Sequence, residues 1–280
     1  MSTQNARLWD VDNETYHSMH DVYGNSMLSC FRESPMLFHG RFVAHDIPLR
    51  ARSKALKFGS DFDRFLLESE DVIEIPADVL SKSGSKAGGK WKDFAAKHVG
   101  LLILTTAEYD IFSRMRDNIH AHTDAAALLL GKPQVSIRWE DEATGLPLKV
   151  RLDILGDGRC VDLKTSANPE PRAFAKSIED FGYYRQSALY SHAVELLTGR
   201  PHDWFFVVIR NVAPWDVWTY QITDDWKARG GDEIRETINA LSSAIKTDKW
   251  EPLGHGDTLK LSPPKWTEFS DDYQMGEQRE

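Results

Sequence analysis

Apolar positions in this chain recur with two different periods, and the switch between them divides the sequence. Over Lys57 to Glu68 (KFGSDFDRFLLE), Phe58, Phe62, Phe65 and Leu66 fall on one side of a helix. Ser26 offers an N-cap for a short helix that Ser34-Pro35 should end. Ser81 to Lys90 (SKSGSKAGGK) reads as an exposed basic loop. Thr105 or Thr106 caps a helix running to about His120, and Thr123 to Leu130 makes another closed by Gly131. Alternation then takes over across Gln134 to Glu140, turns at Asp141 to Gly145, and continues through Leu148 to Leu155 and Cys160 to Lys164. Helical spacing returns over Pro169 to Asp180 and over Phe181 to Leu197, the latter stopped by Gly199-Arg200-Pro201. Asp203 to Asn211 (DWFFVVIRN) reads as a buried strand, Val217 to Ile222 as an outer one, and Asp232 to Lys246 as a last amphipathic helix. These elements predict one domain over residues 1–280, with 1–25 and 255–280 loosely ordered.

The pair of runs around Gly156-Asp157-Gly158-Arg159 carries a tight-turn hairpin signal, and its spacing has chemical content. Strand side chains alternate, so Lys149, Arg151 and Asp153 share one face, and Val150, Leu152 and Ile154 the other. A register closed around Asp157 sets Asp153 roughly opposite Asp162, with Lys164 on the same face. Two acids that close repel each other, and each gains from a shared divalent cation. An exposed salt bridge between Asp153 and Lys164 reads the same residues equally well. Further along, Gln186 and Tyr190 lie four apart on one helix face, beside Tyr183. Upstream, Gly59 and Asp63 border the apolar face of their helix, where a small residue permits close approach and a carboxylate would be partly buried. Asp225-Trp226-Lys227 repeats the D-x-K spacing as a decoy, at a helix start with no acidic strand beside it.

Composition narrows the options. A chain of 280 residues, 41% hydrophobic and 28% charged, can bury a sizeable core. No apolar run approaches the roughly 20 residues of a membrane helix, and the polar, acidic start is unlike a secretory or transit segment, so a cytoplasmic protein with no membrane partner is expected. Two cysteines fit a reducing compartment and are too few for a four-thiolate cluster. The net charge of -9 argues against general affinity for nucleic acid, although a local basic groove can sit on an acidic protein. His17, His20 and His39 are scattered, as surface histidines are.

The order RLDIL, VDLKTS and then YYRQSALY resembles the PD-(D/E)xK nuclease superfamily, in particular its RecE-like, exonuclease VIII-like phage branch. The likeness extends to SMLSCFRESPMLF, FGSDFDRFLLE, GGKWKDFAAKHVG and WEDEATGLPLKVRLDIL, covering the chain from about Tyr16 to Pro252. It implies an α/β fold with a restriction-endonuclease-like core, a mixed central β-sheet flanked by helices and an N-terminal helical region. It also implies that Asp153 and Asp162 ligate Mg²⁺ or Mn²⁺, that Lys164 orients or activates the attacking water, and that Gln186 and Tyr190 line the DNA side of the pocket. Asp63 stands where the family often carries histidine, and can serve as an oxygen ligand. Gln134 stands where glutamate is usual. The implied activity is a metal-dependent DNA exonuclease that resects linear duplex DNA in phage-type recombination, beside a single-strand annealing protein and as a homo-oligomer. A catalytically weakened DNA-binding protein and a structure-specific endonuclease are the alternatives on the same fold.

Overall fold

The computed structural model describes residues 6–251 except 50, 52, 69 and 70, and after these only residues 258, 260 and 262. In chain order the first elements are β1 (Arg7–Leu8), α1 (Asn13–Ser18), α2 (Asn25–Glu33), α3 (Pro35–Phe42), α4 (Lys54–Leu67), β2 (Val72–Glu74), α5 (Gly89–Lys97) and β3 (Leu102–Leu104). Then follow α6 (Thr106–Ala121), α7 (Thr123–Leu128), β4 (Lys132–Glu140), β5 (Pro147–Gly156) and β6 (Arg159–Ser166). The chain continues through α8 (Pro171–Phe181), α9 (Tyr183–Thr198), β7 (Asp203–Arg210), β8 (Val217–Gln221) and α10 (Asp224–Thr247).

Six strands form one mixed sheet in the order β1-β4-β5-β6-β7-β8. Only β6 and β7 run parallel, and the return from one to the other is made by α8 and α9. Helices cover both faces, as the resemblance implied. On one side Phe62, Phe65, Phe112, Met115 and Ile119 of α4 and α6 pack against Val161, Leu163, Val207 and Ile209. On the other, residues of α2, α3, α8, α9 and α10 enclose Val135, Ile137, Leu148, Val150, Leu152, Trp204 and Phe206. Strand β6 is therefore sandwiched, and Cys160 to Leu163 are all buried. Burial of that kind calls for apolar side chains on both faces; Asp162 is the exception, 3% exposed.

Several bounds differ from expectation for local reasons. Ser34 ends α2 and also caps α3 by accepting from Leu37 N, so the Ser-Pro signal both stops one helix and starts another. Thr105 and Glu108 form the reciprocal capping box of α6. Gly182, at φ 67, separates α8 from α9. Helix α10 begins eight residues earlier than the apolar spacing indicated, and places the decoy Lys227 in an ion pair with Asp224 within its first turn. Residues 6–25, expected to be loosely ordered, are instead tied to the sheet: β1 pairs with β4, Trp9 N donates to Ser136 O, and Tyr23 bridges to Leu148. The short apolar content of that stretch conceals its fixing, which comes from backbone bonds. The tail from 255 onward lies outside the described residues apart from 258, 260 and 262.

Gly230 sets the crossing of α9 and α10. A Cβ there would lie 2.3 Å from the carbonyl oxygen of Tyr184, a backbone atom that cannot step aside. Gly230→Ala should therefore lower unfolding free energy by about 1–3 kcal/mol, despite alanine's better helix propensity; urea titration with an unchanged m-value is the check.

Candidate active site

The ladder between β5 and β6 is short. It comprises Ile154↔Val161, Leu155↔Cys160 and Gly156↔Arg159, after which the two strands part, whereas β6 continues pairing with β7 through Ser166. In the gap, Asp153 Oδ2 accepts a 2.8 Å hydrogen bond from Leu163 N. A side-chain carboxylate thus satisfies a backbone donor that a longer ladder would have paired. On the opposite edge of β5, the β4 pairing runs from Pro133↔Ile154 to Val135↔Leu152 and skips Gln134, which adopts φ 51. A left-handed non-glycine residue inside a strand costs on the order of 1–3 kcal/mol and marks a locally forced backbone. Gln134 Oε1 accepts from Arg151 Nε at 2.8 Å.

Asp162, on the sandwiched strand, reaches into the same gap. Its Oδ1 accepts from Gln186 Nε2 of α9 at 2.7 Å, and its Oδ2 forms an ion pair with Lys164 Nζ. The ammonium also stands 4.8 Å from the ring centroid of Tyr183. Helix α4 approaches from the other side, and it can do so because Gly59 has no side chain: a Cβ would sit 3.1 Å from Thr165 Oγ1 of β6. One turn later the helix delivers Asp63.

All six side chains singled out in the sequence, Asp63, Asp153, Asp162, Lys164, Gln186 and Tyr190, line one cavity of about 220 Å³. Gln134 and Arg151 complete its floor, and Asn13, Tyr16 and His17 of α1 form a wall that no periodicity announced. A larger recess of about 520 Å³ between α7 and β8 has a single acid, Asp124, in its lining. The hairpin residues Arg151 and Lys149, on the face shared with Asp153, divide their tasks: Arg151 stays in the cavity, while Lys149 is buried beneath α1.

The electrostatics of this cavity are those of crowded acids. Burial first, and then the neighbouring Asp162 charge, raise the proton affinity of Asp153. Asp63 is raised well above its usual range by burial and then by Asp153. Burial likewise raises Asp162, opposed by Lys164 and Gln186. For Lys164, burial works against the charge, but Asp162 and Asp153 outweigh it and hold the amine firmly protonated. Three carboxylates thus share one close ammonium, a deficit of positive charge at a desolvated site.

Among the described residues no group of three or more His, Cys, Asp or Glu side chains is placed to hold a metal ion. That is compatible with Mg²⁺ or Mn²⁺, which is commonly held by one or two carboxylates together with water and substrate phosphate rather than by an all-protein cage. Asp153 and Asp162, with Asp63 facing the same space, supply hard oxygen donors, and a divalent cation would relieve their repulsion.

A buried acid whose proton affinity is raised favours folding below its ordinary pKa, and that contribution is lost as pH rises through the raised value. Asp63→Asn should consequently raise the melting temperature in metal-free buffer at neutral pH, and the advantage should vanish as pH falls toward the ordinary carboxylate value of 3.8. Thermal melts across that range check this.

Comparison with known proteins agrees with this geometry. The model of a PDDEXK-like domain of unknown function (DUF3799) matches residues 26–260. The fold is similar to a crystal structure from Eubacterium rectale, described as a "putative exonuclease", with a TM-score of 0.63 and 15% identity, over 91% of this chain and 97% of that one. No curated protein matches the sequence. With a sheet whose splayed central hairpin gathers Asp153, Asp162 and Lys164, and with the greater part of its length matched, the chain belongs to the PDDEXK-like (DUF3799) family, within the PD-(D/E)xK nuclease superfamily.

Proposed function

We propose that this protein is a divalent-metal-dependent deoxyribonuclease that degrades linear duplex DNA from its ends. The observation that carries the reading is the meeting of buried Asp153 and Asp162 with Lys164 in one cavity, with Asp162 oriented by Gln186. Asp153 and Asp162 would hold Mg²⁺ or Mn²⁺, with Asp63 in the lining of the same cavity. The ion supplies charge that stabilises the phosphoryl group during an in-line displacement. Lys164, kept protonated by its acidic neighbours, donates to the attacking water or to a non-bridging phosphate oxygen and offsets developing negative charge. Gln186 keeps Asp162 at a fixed angle, and Tyr190, buried and edge-on to Trp204 at 5.7 Å, gives the cavity a rigid wall. Arg64 and Arg151 bring positive charge to the cavity of a protein that is acidic overall.

The resemblance to phage exonucleases supports a role in recombination beside a single-strand annealing protein, with the active form a homo-oligomer. A second reading, a DNA-binding protein of weakened catalysis, draws on Gln134, a neutral amide already engaged by Arg151. Structure-specific cleavage is the third.

Purified protein with Mg²⁺ or Mn²⁺ should degrade linear duplex DNA and spare closed circles. Lys164→Ala should reduce the rate by roughly 10²–10³ without loss of fold, the size expected for removing one preorganised electrostatic contact. Gln186→Ala, which removes the hydrogen-bond donor that orients Asp162, should cost about 10–100-fold. Binding of linear and circular DNA without hydrolysis of either, with both metals, would refute the enzyme in favour of the binder; cleavage of circles would favour the endonuclease.

A further inference from the structure

The family match begins at residue 26, yet Asn13, Tyr16 and His17 line the cavity that holds Asp153, Asp162 and Lys164. The segment that carries them is fastened along its length. At its start, β1 extends the sheet, with Arg7 opposite Arg138 and Leu8 opposite Ile137. Arg151 Nη1 donates to Val11 O at 2.9 Å. Lys149, only 3% exposed, donates from Nζ to Tyr16 O and, at 2.7 Å, to Met19 O, with its charge 4.7 Å from the Tyr16 ring centroid. At the far end Tyr23 N donates to Pro147 O and Tyr23 O accepts from Lys149 N, covering the edge of β5 that β6 has left. Asp12 caps α1 by accepting from Thr15 N.

These anchors fix where the segment lies. Along the site face of β5 the order is Asp153, then Arg151 beneath Val11, then Lys149 beneath Tyr16 and Met19. Two residues of strand are about 7 Å, so a nucleic-acid strand that followed β5 away from Asp153 would meet the segment within about two nucleotide rises of 3.4 Å each. The latch consists of two charge-assisted hydrogen bonds from one ammonium to backbone carbonyls, a stronger kind than neutral pairs. A groove open at both ends accepts a continuous strand, and a groove closed at one end accepts a terminus.

We propose that residues 6–23 form a strap that stops one end of the nucleic-acid slot, so that the site takes a strand with a free end and rejects an endless one, with Asn13 and His17 as contacts to that strand. The proposal rests on the nuclease reading above, and it assigns the preference for ends to a segment that the family model does not include.

The test is competition binding, with Ca²⁺ as the metal, between linear and circular single-stranded oligonucleotides of identical sequence and length. Wild type should favour the linear form by about tenfold or more, and Lys149→Met, which removes the donor to both carbonyls, should bind the two within about twofold. Hydrogen exchange over residues 13–23 reports release of the strap, and circular dichroism reports the fold. If Lys149→Met fails to fold, Tyr23→Pro in the full-length chain replaces it, since proline removes the donor to Pro147 O that fixes the far end of the strap. Asn13→Ala and His17→Ala should each weaken binding of the linear strand while exchange of the strap is unchanged. A wild type without preference, or a released strap with the preference intact, overturns the slot; unchanged binding in both alanine variants overturns the contacts. Hydrolysis with Mg²⁺ is followed in parallel: if wild type cleaves nothing, the nuclease reading falls, and the binding ratio still decides the strap.

Discussion

The parting of β5 from β6 after three residue pairs is the feature on which the rest of the site depends. Had the two strands stayed paired along their length, the Leu163 N–H would have met a backbone carbonyl and no gap would exist. Instead the carboxylate of Asp153 takes that donor, which holds the strands apart at a fixed distance while capping an otherwise orphaned group. The left-handed backbone at Gln134 answers the same distortion on the other edge of β5, where regular pairing with β4 is interrupted opposite Asp153. The acid is therefore flanked by irregular backbone on both sides, in the middle of a well-ordered sheet.

Into this gap the surrounding layers deliver side chains that would be costly anywhere else in the core. Asp162 lies on the most enclosed strand and is tolerable because Gln186 and Lys164 engage both of its oxygens. Asp63 arrives on α4, whose approach to β6 is eased by Gly59, where a Cβ would crowd Thr165 Oγ1 at 3.1 Å. The resulting surplus of negative charge opposes folding and is what a cation-dependent phosphodiesterase would retain, stability being given up at the place where chemistry occurs. Large aromatic contacts elsewhere, among them Phe62, Phe65 and Phe112 on one face and Trp204 and Phe206 on the other, supply the rigidity that holds the acids together.

Lys149 illustrates how one strand face can serve two purposes. It shares the face of Arg151 and Asp153, yet its ammonium is spent on the carbonyls of Tyr16 and Met19 rather than on the cavity. Asn13, Tyr16 and His17 thereby become part of the wall of the site.

The sequence by itself determined the hairpin, the facing of Asp153 and Asp162 across it, the Gln186/Tyr190 helix face and the Gly59/Asp63 pair, because each is a relation between residues a few positions apart, fixed by strand alternation, turn chemistry or helical period. It determined the buried β7 as well, through the unbroken apolar run of DWFFVVIRN, whereas the enclosure of β6, with Asp162 in its middle, came from the packing of helices on both faces. Only the tertiary structure decided which of two readings of Asp153 and Lys164 applies: the lysine pairs with Asp162, and Asp153 bonds to Leu163 N. It alone also decided the short β5–β6 ladder, the strained Gln134, the start of α10 and the ordered strap: the ladder ends where the Asp153 carboxylate takes Leu163 N, Gln134 is engaged by Arg151, and the strap is held by partners more than a hundred residues away, contacts that apolar spacing does not report. Arg151 meets Val11, and Lys149 meets Tyr16 and Met19, across 130 to 140 positions of chain, and no periodicity spans that distance.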